Sequence, residues 1–244
     1  DQPVADFIPE FKEGEKTKIT IRHLMMMSSG LDWNEGYASL TSQVTEAYYG
    51  TQLYKQVTSL GVAEAPGKFW EYKSCDTELL AIIVNKATGK SLAEYASEKL
   101  WKPLGAEHNA QWSLDQKDGI EKAYCCFYSN ARDFARFGKL VLQHGRWNNE
   151  QIIDSAFIAL CTTPNNLPDK EDNKPAQHYG YQWWLSNISN HPVYYMRGIL
   201  GQYVIVIPDM QMIIVRLGHK RSNNPDGKPN DYKFYAEQVI KMYE

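Results

Sequence analysis

The chain has 244 residues, of which 43% are hydrophobic and 23% charged, as in an ordinary globular protein. Its net charge of −3, without a basic stripe, argues against electrostatic binding to nucleic acid. No apolar run approaches the roughly 20 residues of a membrane span, and the length suits one large domain or two interleaved ones. The chain opens on Asp1-Gln2-Pro3 without a methionine, which is typical of sequence from within a longer protein.

Helical patterns follow one another along the first two thirds of the chain. Each combines apolar residues with an N-cap residue, or with a stop signal such as glycine or proline. The predicted helices are 21–27, two pieces within 39–60 that break at Gly50, 75–88, 91–101, 130–144 and 152–161. The helix after Ser74 is apolar on nearly all sides, which predicts a buried central position, whereas the spacing in 39–60 indicates a peripheral one.

The last third of the chain changes to strand patterns. The predicted strands are 181–185, 193–197, 202–207 and 212–217, followed by a helix that Asp231 caps and that ends at Met242. The run from Val204 to Ile207 is continuously apolar and β-branched, as in a strand buried on both faces. The sequence therefore predicts an α+β fold, with a helical region beside an antiparallel sheet.

Two glycines, Gly198 and Gly201, lie between two of these predicted strands. Glycine weakens a sheet, so its presence needs a reason. One reason is the close approach of a ligand to the backbone, and another is a tight hairpin or bulge. The pattern alone favours the hairpin.

The cysteines and histidines form no pattern that binds a metal. The cysteines lie at 75, 125, 126 and 161, without a C-x-x-C spacing. Cys125 and Cys126 are adjacent, which suits neither a chelate nor a mutual disulfide, so we expect small buried side chains. The six histidines show no H-x-x-x-H or similar pairing. The sequence therefore predicts no metal and no cofactor. The cysteines do not indicate in which cellular compartment the protein resides.

Tyr72 stands just ahead of the predicted central helix, with Ser74 two residues further on. The helix N-terminus or a lysine ammonium would favour the phenolate of such a tyrosine, which could then take a proton from a serine nucleophile. The alternative is a packed side chain, because the chain has 16 tyrosines and most tyrosines pack with the hydroxyl on some partner. Spacing alone favours packing.

Several separated stretches resemble the serine β-lactamase and penicillin-binding-protein family, in its class C and esterase-like branch. They stand in the family's order and cover nearly the whole chain. The stretches are Thr20–Leu24 with Ser28–Leu31, Phe69–Ser74 with Thr88–Ser91, Pro103–Ala106, Ser129–Gly138, Tyr179–Trp184 and Gly198–Gln202. Each stretch is weak alone, but together they are specific.

The resemblance implies a β-lactamase-like (DD-peptidase) fold, in which an antiparallel sheet is flanked by helices beside a helical region. Residues 1–19 and 124–244 would form the sheet region, and residues 20–123 the mainly helical region. The active-site cleft would lie between them. The substrate would be a small-molecule or peptide acyl compound, and the resemblance implies no cofactor.

The resemblance also implies roles for particular residues. Tyr72 would be the catalytic tyrosine and general base, and the backbone N–H of Ile199 would point into the oxyanion hole. Gly198 would be the glycine of the third family motif, and Ser74 the polar residue of the second. The substrate-binding residues would be Ser74, Arg197, Gly198 and Gly201.

Two departures from the family pattern bear on these roles. Met196 and Arg197 stand where the third motif usually begins with lysine or histidine. No serine has a lysine three residues further on, so the S-x-x-K nucleophile motif is absent. In the family that motif precedes the segment like Thr20–Leu31, so we expect the nucleophile upstream of Asp1. The fold would then be N-terminally incomplete, and this chain alone would be inactive without that missing segment.

These observations favour a serine acyl hydrolase that acts through an acyl-enzyme on a β-lactam, D-peptide, ester or amide. One alternative is a relative without a nucleophile that binds peptidoglycan peptides or similar ligands. Another is a structural domain whose aromatic residues serve interfaces. Family members are often exported, so we expect a periplasmic or secreted protein, with the cytoplasm left open.

Overall fold

The computed structural model describes residues 1–220 and 230–243. The helices are α1 (Ile21–Met25), α2 (Gln43–Tyr49), α3 (Leu53–Thr58), α4 (Ser74–Thr88), α5 (Leu92–Ala96), α6 (Ala131–Leu142), α7 (Ser155–Cys161) and α8 (Tyr232–Tyr243). The strands are β1 (Gln111–Trp112), β2 (Phe127–Tyr128), β3 (Arg146–Trp147), β4 (Glu150–Gln151), β5 (Trp184–Ile188), β6 (His191–Arg197), β7 (Tyr203–Ile207) and β8 (Met212–Arg216). Helices and antiparallel strands together confirm the predicted α+β class.

The chain forms two compact units. Unit 1 comprises Asp1–Glu98, Ala110–Tyr128 and Asn165–Ala176. Unit 2 comprises Lys99–Asn109, Ser129–Pro164 and Gln177–Glu244. Within the described residues, no helix has both the length and the apolar character needed to cross a bilayer.

Unit 1 is built around α4, which packs against α1, α3 and α5. Leu79, Ile82 and Ile83 of α4 lie in its buried core, which confirms the predicted central position. The helices α2 and α3 differ from the peripheral position predicted for them. Their buried side chains are Val44, Ala47, Leu53, Val57 and Thr58, because one stripe of each helix faces the same core.

The unit boundaries differ from those predicted for the two regions. Residues 1–19 belong to unit 1 rather than to the unit that holds the sheet. The reason is that their short 3₁₀ turns insert Val4, Ile8 and Phe11, all fully buried, into the same core as Leu79. The segment Asn165–Ala176 also belongs to unit 1, where its backbone bonds to that of Trp70.

Unit 2 contains a four-stranded antiparallel sheet in the order β5-β6-β7-β8. All five residues of β7 are buried, as their apolar run predicts. Val204 and Val206 face α6, where they approach Gly138, while Tyr203 contacts Tyr232 of α8. Because neighbouring residues of a strand point to opposite faces, α6 and α8 cover opposite faces of this sheet.

Two predicted elements begin three residues later in the structure than the sequence predicts. The helix predicted at 152–161 begins at Ser155, because the Asp154 side chain accepts a hydrogen bond from Ala156 N at 2.7 Å and caps it. The preceding residues form the hairpin of β3 and β4. The strand predicted at 181–185 is shifted to Trp184–Ile188, since Gln182 has a φ of +58° that interrupts extended backbone.

The adjacent cysteines correct the sequence prediction. Cys125 and Cys126 are half-buried and joined by a disulfide, whereas we expected two small buried side chains. Cys126 has a φ of +64°, a left-handed conformation that neither composition nor spacing reveals. Cys75 and Cys161 are free and buried.

Candidate active site

Tyr72 lies on an extended segment that leads into α4 in unit 1. On one side, Glu71 N donates to Met27 O at 2.9 Å. On the other, Trp70 N donates to Pro168 O at 2.8 Å, and Lys170 N donates to Trp70 O at 3.1 Å. The backbone around half-buried Tyr72 is therefore held from both sides just before the helix begins.

The carboxylate of Glu35 is the centre of the hydrogen bonds at this helix start. Its Oε2 accepts from Ser74 N at 2.8 Å and from Trp33 Nε1 at 2.5 Å. Its Oε1 accepts from Ser74 Oγ at 2.6 Å and from the Tyr37 hydroxyl. Lys73, the N-cap residue, makes no side-chain capping bond. Glu35 thus caps α4 from a distant loop and fixes the hydroxyl of Ser74, which is 3% exposed.

Tyr37 brings a second phenol to this cluster. The residue is 54% exposed, but its hydroxyl donates to Glu35. Desolvation of the phenol, followed by the charge of Glu35, raises the pKa of Tyr37 far above its ordinary value. Tyr72 adds to that shift, which places the two phenols in the same electrostatic environment. Tyr37 is therefore a neutral hydrogen-bond donor across the physiological pH range.

The cationic groups near Tyr72 are held by carboxylates. Lys73 is buried and paired with Glu71. Lys170 bonds to Glu71 at 2.9 Å and to Glu64 at 2.5 Å. Burial opposes ionisation of Glu71, but the hydrogen bonds from the two lysines outweigh it and lower the pKa of this carboxyl. Lys73, which directly follows the candidate general base Tyr72, thus has its ammonium paired with Glu71.

In unit 2, β6 and β7 are joined by a tight turn over the two predicted glycines. Gly201 N donates to Gly198 O at 3.1 Å, and Gly198 N donates to Gln202 O at 2.7 Å. Gly201 has a φ of +81°, the left-handed conformation that three-residue hairpin loops require. The structure therefore confirms the hairpin as a reason for these glycines.

The backbone N–H of Ile199 stands out among the amides of this turn. Gly198, Leu200 and Gly201 each donate to an acceptor within the turn. For Ile199 N no acceptor occurs among the residues that the structure describes. Ile199 is 41% exposed. An amide with these properties is free to donate to a ligand oxygen.

Arg197 lies at the end of β6, with its guanidinium carbon 3.6 Å from the centroid of the Trp184 ring. This cation–π contact engages the charge within unit 2. Met196, which stands where the family usually has lysine or histidine, packs in an apolar cluster with Val141 and Val206. The two neighbours thus point to opposite faces of the sheet, as strand alternation requires.

The structure groups some of the predicted site residues and separates others by unit. Tyr72 and Ser74 lie together in unit 1, while Arg197, Gly198, Ile199 and Gly201 lie together in unit 2. Sequence reasoning missed three polar residues: Glu35, Tyr37 and Gln202. Glu35 and Tyr37 lie in a loop without periodicity, so no local signal marks them. Gln202 directly follows Gly201, and a polar residue opening an apolar strand was the available signal.

The described residues contain no cluster of three or more His, Cys, Asp or Glu side chains that could hold a metal ion. The chemistry available here is that of phenols, hydroxyls, carboxylates and backbone amides. Such groups serve proton transfer and the stabilisation of an oxyanion.

Known proteins resemble this chain along nearly its whole length. It is 27% identical over 232 residues to the 6-aminohexanoate-dimer hydrolase of Paenarthrobacter ureafaciens, covering 88% of this chain and 58% of that enzyme. A Bacillus anthracis protein provisionally named as a 6-aminohexanoate-dimer hydrolase superimposes with a TM-score of 0.82 at 26% identity, covering 99% of this chain and 65% of that one. This chain therefore spans about three fifths of these relatives' lengths.

A more distant structure shares the fold. The octameric penicillin-binding protein homologue of Pyrococcus abyssi superimposes with a TM-score of 0.69 at 18% identity, covering 99% of this chain and 60% of that one. The fold is thus β-lactamase-like, as the sequence motifs predicted. The family model described as Beta-lactamase matches residues 1–235. The chain belongs to the beta-lactamase family.

Proposed function

We propose that this chain is part of a serine acyl hydrolase that cleaves short amides or esters through an acyl-enzyme. Tyr72 is the general base, the Ile199 N–H is an oxyanion-hole donor, and the nucleophilic serine comes from sequence upstream of Asp1. The observation that carries the proposal is the match of the Beta-lactamase family model to residues 1–235. This range includes both Tyr72 and Ile199. On this proposal the 244-residue chain by itself is inactive, because none of its serines has a lysine three residues further on.

In the proposed reaction, the phenolate of Tyr72 takes the proton of the serine hydroxyl as the oxygen attacks the acyl carbon. The carbonyl oxygen becomes an oxyanion, to which Ile199 N–H and the N–H of the nucleophilic serine donate. The tetrahedral intermediate collapses, the bond to the leaving amine or alcohol breaks, and the leaving group takes the proton from Tyr72. Water then attacks the acyl-enzyme with the same base and releases the acid.

Two local features support these assignments. Backbone hydrogen bonds hold the segment around Tyr72 from both sides, so the Cα position from which the phenol extends is fixed at the start of a buried helix. The Ile199 N–H has no acceptor among the described residues. A donor to an oxyanion has to be unoccupied in this way before the substrate binds. Ser74, Gly198 and Gly201 would shape the substrate site. Arg197 would have to leave the Trp184 ring before it could bind a substrate carboxylate.

The substrate class is taken from the relatives. Both the P. ureafaciens enzyme and the B. anthracis protein carry the name of a hydrolase of 6-aminohexanoate dimer, and two amino acids join through an amide. We therefore place amides and esters of small acids ahead of β-lactams. The proposed location is the periplasm or the exterior, because a Cys125–Cys126 disulfide persists in oxidising compartments.

The Tyr72→Phe variant of the complete protein tests the role of the base. It should lower kcat/KM for p-nitrophenyl acetate by roughly 10²–10⁴-fold, because the phenol oxygen is removed while the ring remains. Tyr49→Phe is the matched control, since Tyr49 is 77% exposed and has no place in the proposed site. Equal turnover in the two variants would show that Tyr72 does not act as the base.

A fluorophosphonate probe, which labels activated serines, separates the hydrolase from a relative that only binds ligands. We expect labelling of the complete protein and none of the chain that begins at Asp1. A complete protein that hydrolyses no acyl probe and resists labelling would instead be a ligand-binding relative of the family.

A further inference from the structure

The side chain of Gln202 spans the turn that presents Ile199. Its Oε1 accepts a hydrogen bond from Leu200 N at 3.1 Å. Its Nε2 donates to Gly218 O at 2.6 Å, just beyond the end of β8. One carboxamide therefore connects the tip of the turn to the end of the neighbouring pair of strands.

Gln202 also explains why residue 198 has no side chain. A Cβ atom built on Gly198 would overlap Oε1 of Gln202, and would lie 2.9 Å from its Cβ. A larger residue at 198 would expel the carboxamide from the turn. The absence of a side chain at Gly198 thus allows the side chain of Gln202 to lie close to the backbone of the turn.

The other end of the turn is held as well. Arg216 Nη1 donates to Gly201 O, and Arg216 Nη2 donates to Lys220 O at 2.9 Å. Gln202 and Arg216 together bond to the turn on both sides of Gly201. The backbone between them has little freedom to tilt, so the direction of the Ile199 N–H is set by its neighbours.

The hydrogen bond from Leu200 N to Gln202 determines which amides of the turn remain open to a ligand. Leu200 is 44% exposed, so without Gln202 its N–H would be a second open donor beside that of Ile199. We propose that Gln202 is a positioning residue, which occupies the Leu200 amide and aims the Ile199 amide at the oxyanion. This inference rests on the proposed function, because it assigns a task only if Ile199 N–H serves an oxyanion.

The test compares two glutamines in turns of the same sheet. Gln202→Met, made in the complete protein, removes the carboxamide at similar volume. Gln211→Met is the matched control, because Gln211 Nε2 donates to Pro208 O at 2.8 Å in the turn between β7 and β8. Each variant is assayed with p-nitrophenyl acetate and with its thionoester, in which C=S replaces C=O and accepts hydrogen bonds poorly.

We expect Gln202→Met to lower kcat/KM for the oxygen ester by about 10- to 100-fold, because a misdirected oxyanion donor stabilises the transition state less. The loss should fall on kcat rather than KM, and the oxygen-to-sulfur rate ratio should fall with it. A merely structural role would not change that ratio. Gln211→Met should leave both the rate and the ratio at the wild-type values.

Two results would overturn the inference: an unchanged ratio in Gln202→Met, or the same small loss in both glutamine variants. If Gln202→Met does not fold, Gln202→Glu replaces it, since the carboxylate keeps the acceptor for Leu200 N–H and loses the donor to Gly218. An intermediate fall in the ratio is then expected, and no fall overturns the inference. Failure of the proposed function appears separately, as a wild-type protein that neither hydrolyses the ester nor reacts with a fluorophosphonate.

Discussion

Among single side chains, Glu35 has the largest structural role near the proposed base. Both of its oxygens are occupied, by Trp33, Tyr37 and two donors of Ser74. Trp33 is 6% exposed and Ser74 is 3% exposed, so their N–H and O–H groups have little access to water. A buried donor that loses its acceptor keeps its full desolvation cost.

The Glu35→Ala variant should therefore lower the free energy of unfolding by roughly 1–3 kcal/mol, through the lost cap of α4 and the orphaned donors. Urea unfolding of the complete protein measures this change. Glu13→Ala serves as the control, because Glu13 is exposed and makes no capping bond to the 3₁₀ turn that follows it. Equal midpoints for the two variants would mean that the Glu35 contacts contribute no net stability.

Between elements of unit 2, α6 packs closely against the sheet. Gly138 lies in the helix where a Cβ would come within 2.9 Å of Ile213 Cγ2 and 3.0 Å of Val204 Cγ1. These atoms belong to side chains packed on the sheet, so neither yields without cost. The missing side chain thus sets how near the helix axis lies to β7 and β8.

Gly138→Ala tests this contact with two opposing effects. Alanine favours a helix by about 1 kcal/mol, whereas overpacking costs roughly 1–3 kcal/mol, so we expect a net loss of stability. Adding Val204→Ala removes Cγ1 and makes room for the new methyl group. The double variant should lose less stability in urea unfolding than the sum of the two single variants. If the two stability losses simply add, the overpacking at Gly138→Ala does not come from Val204 Cγ1.

For the protein in solution, two buried carboxyls of α4 make stability depend on pH. Burial raises the pKa of Glu78 to about 8, even though the backbone N–H groups of Ala123 and Tyr124 oppose the shift. Burial also raises the pKa of Asp76 to about 7, against hydrogen bonds from Ser29 and the charge of Lys73. Both groups bind protons in the folded state at a pH where the unfolded chain has released them.

Stability should therefore fall as pH rises through the folded pKa values, because the unfolded state binds fewer protons there. His23 acts in the opposite direction near its ordinary pKa of 6.5, since burial lowers its pKa. Between pH 7 and 9 the fall from Glu78 alone should be on the order of 1 kcal/mol. Urea unfolding at these two pH values measures it.

The Glu78→Gln variant separates this carboxyl from other titrating groups. The amide keeps an acceptor for Ala123 N, to which Glu78 now bonds at 2.8 Å, but it has no proton to lose in this range. We expect a much flatter dependence of stability on pH between 7 and 9. If the variant retains the wild-type slope, Glu78 is not the group that titrates.

The sequence by itself determined whatever depends on neighbours along the chain. Thr20, Ser91 and Asn130 cap the helices predicted from them, because a cap needs only the next two or three amides. The apolar run of β7 and the motif order likewise determined the α+β class and the family. Tyr72 and Ile199 came from that order, and their catalytic roles remain predictions.

Only the tertiary structure decided the contacts between distant residues. Glu35 reaches Ser74 across 39 positions, and Gln202 reaches Gly218 across 16, so neither pairing leaves a local spacing to read. The Cys125–Cys126 disulfide accompanies a left-handed backbone conformation at Cys126, which no sequence pattern reveals. Hydrogen bonds and packing join groups by distance in space, whereas a sequence pattern records distance along the chain, and the two coincide only within an element.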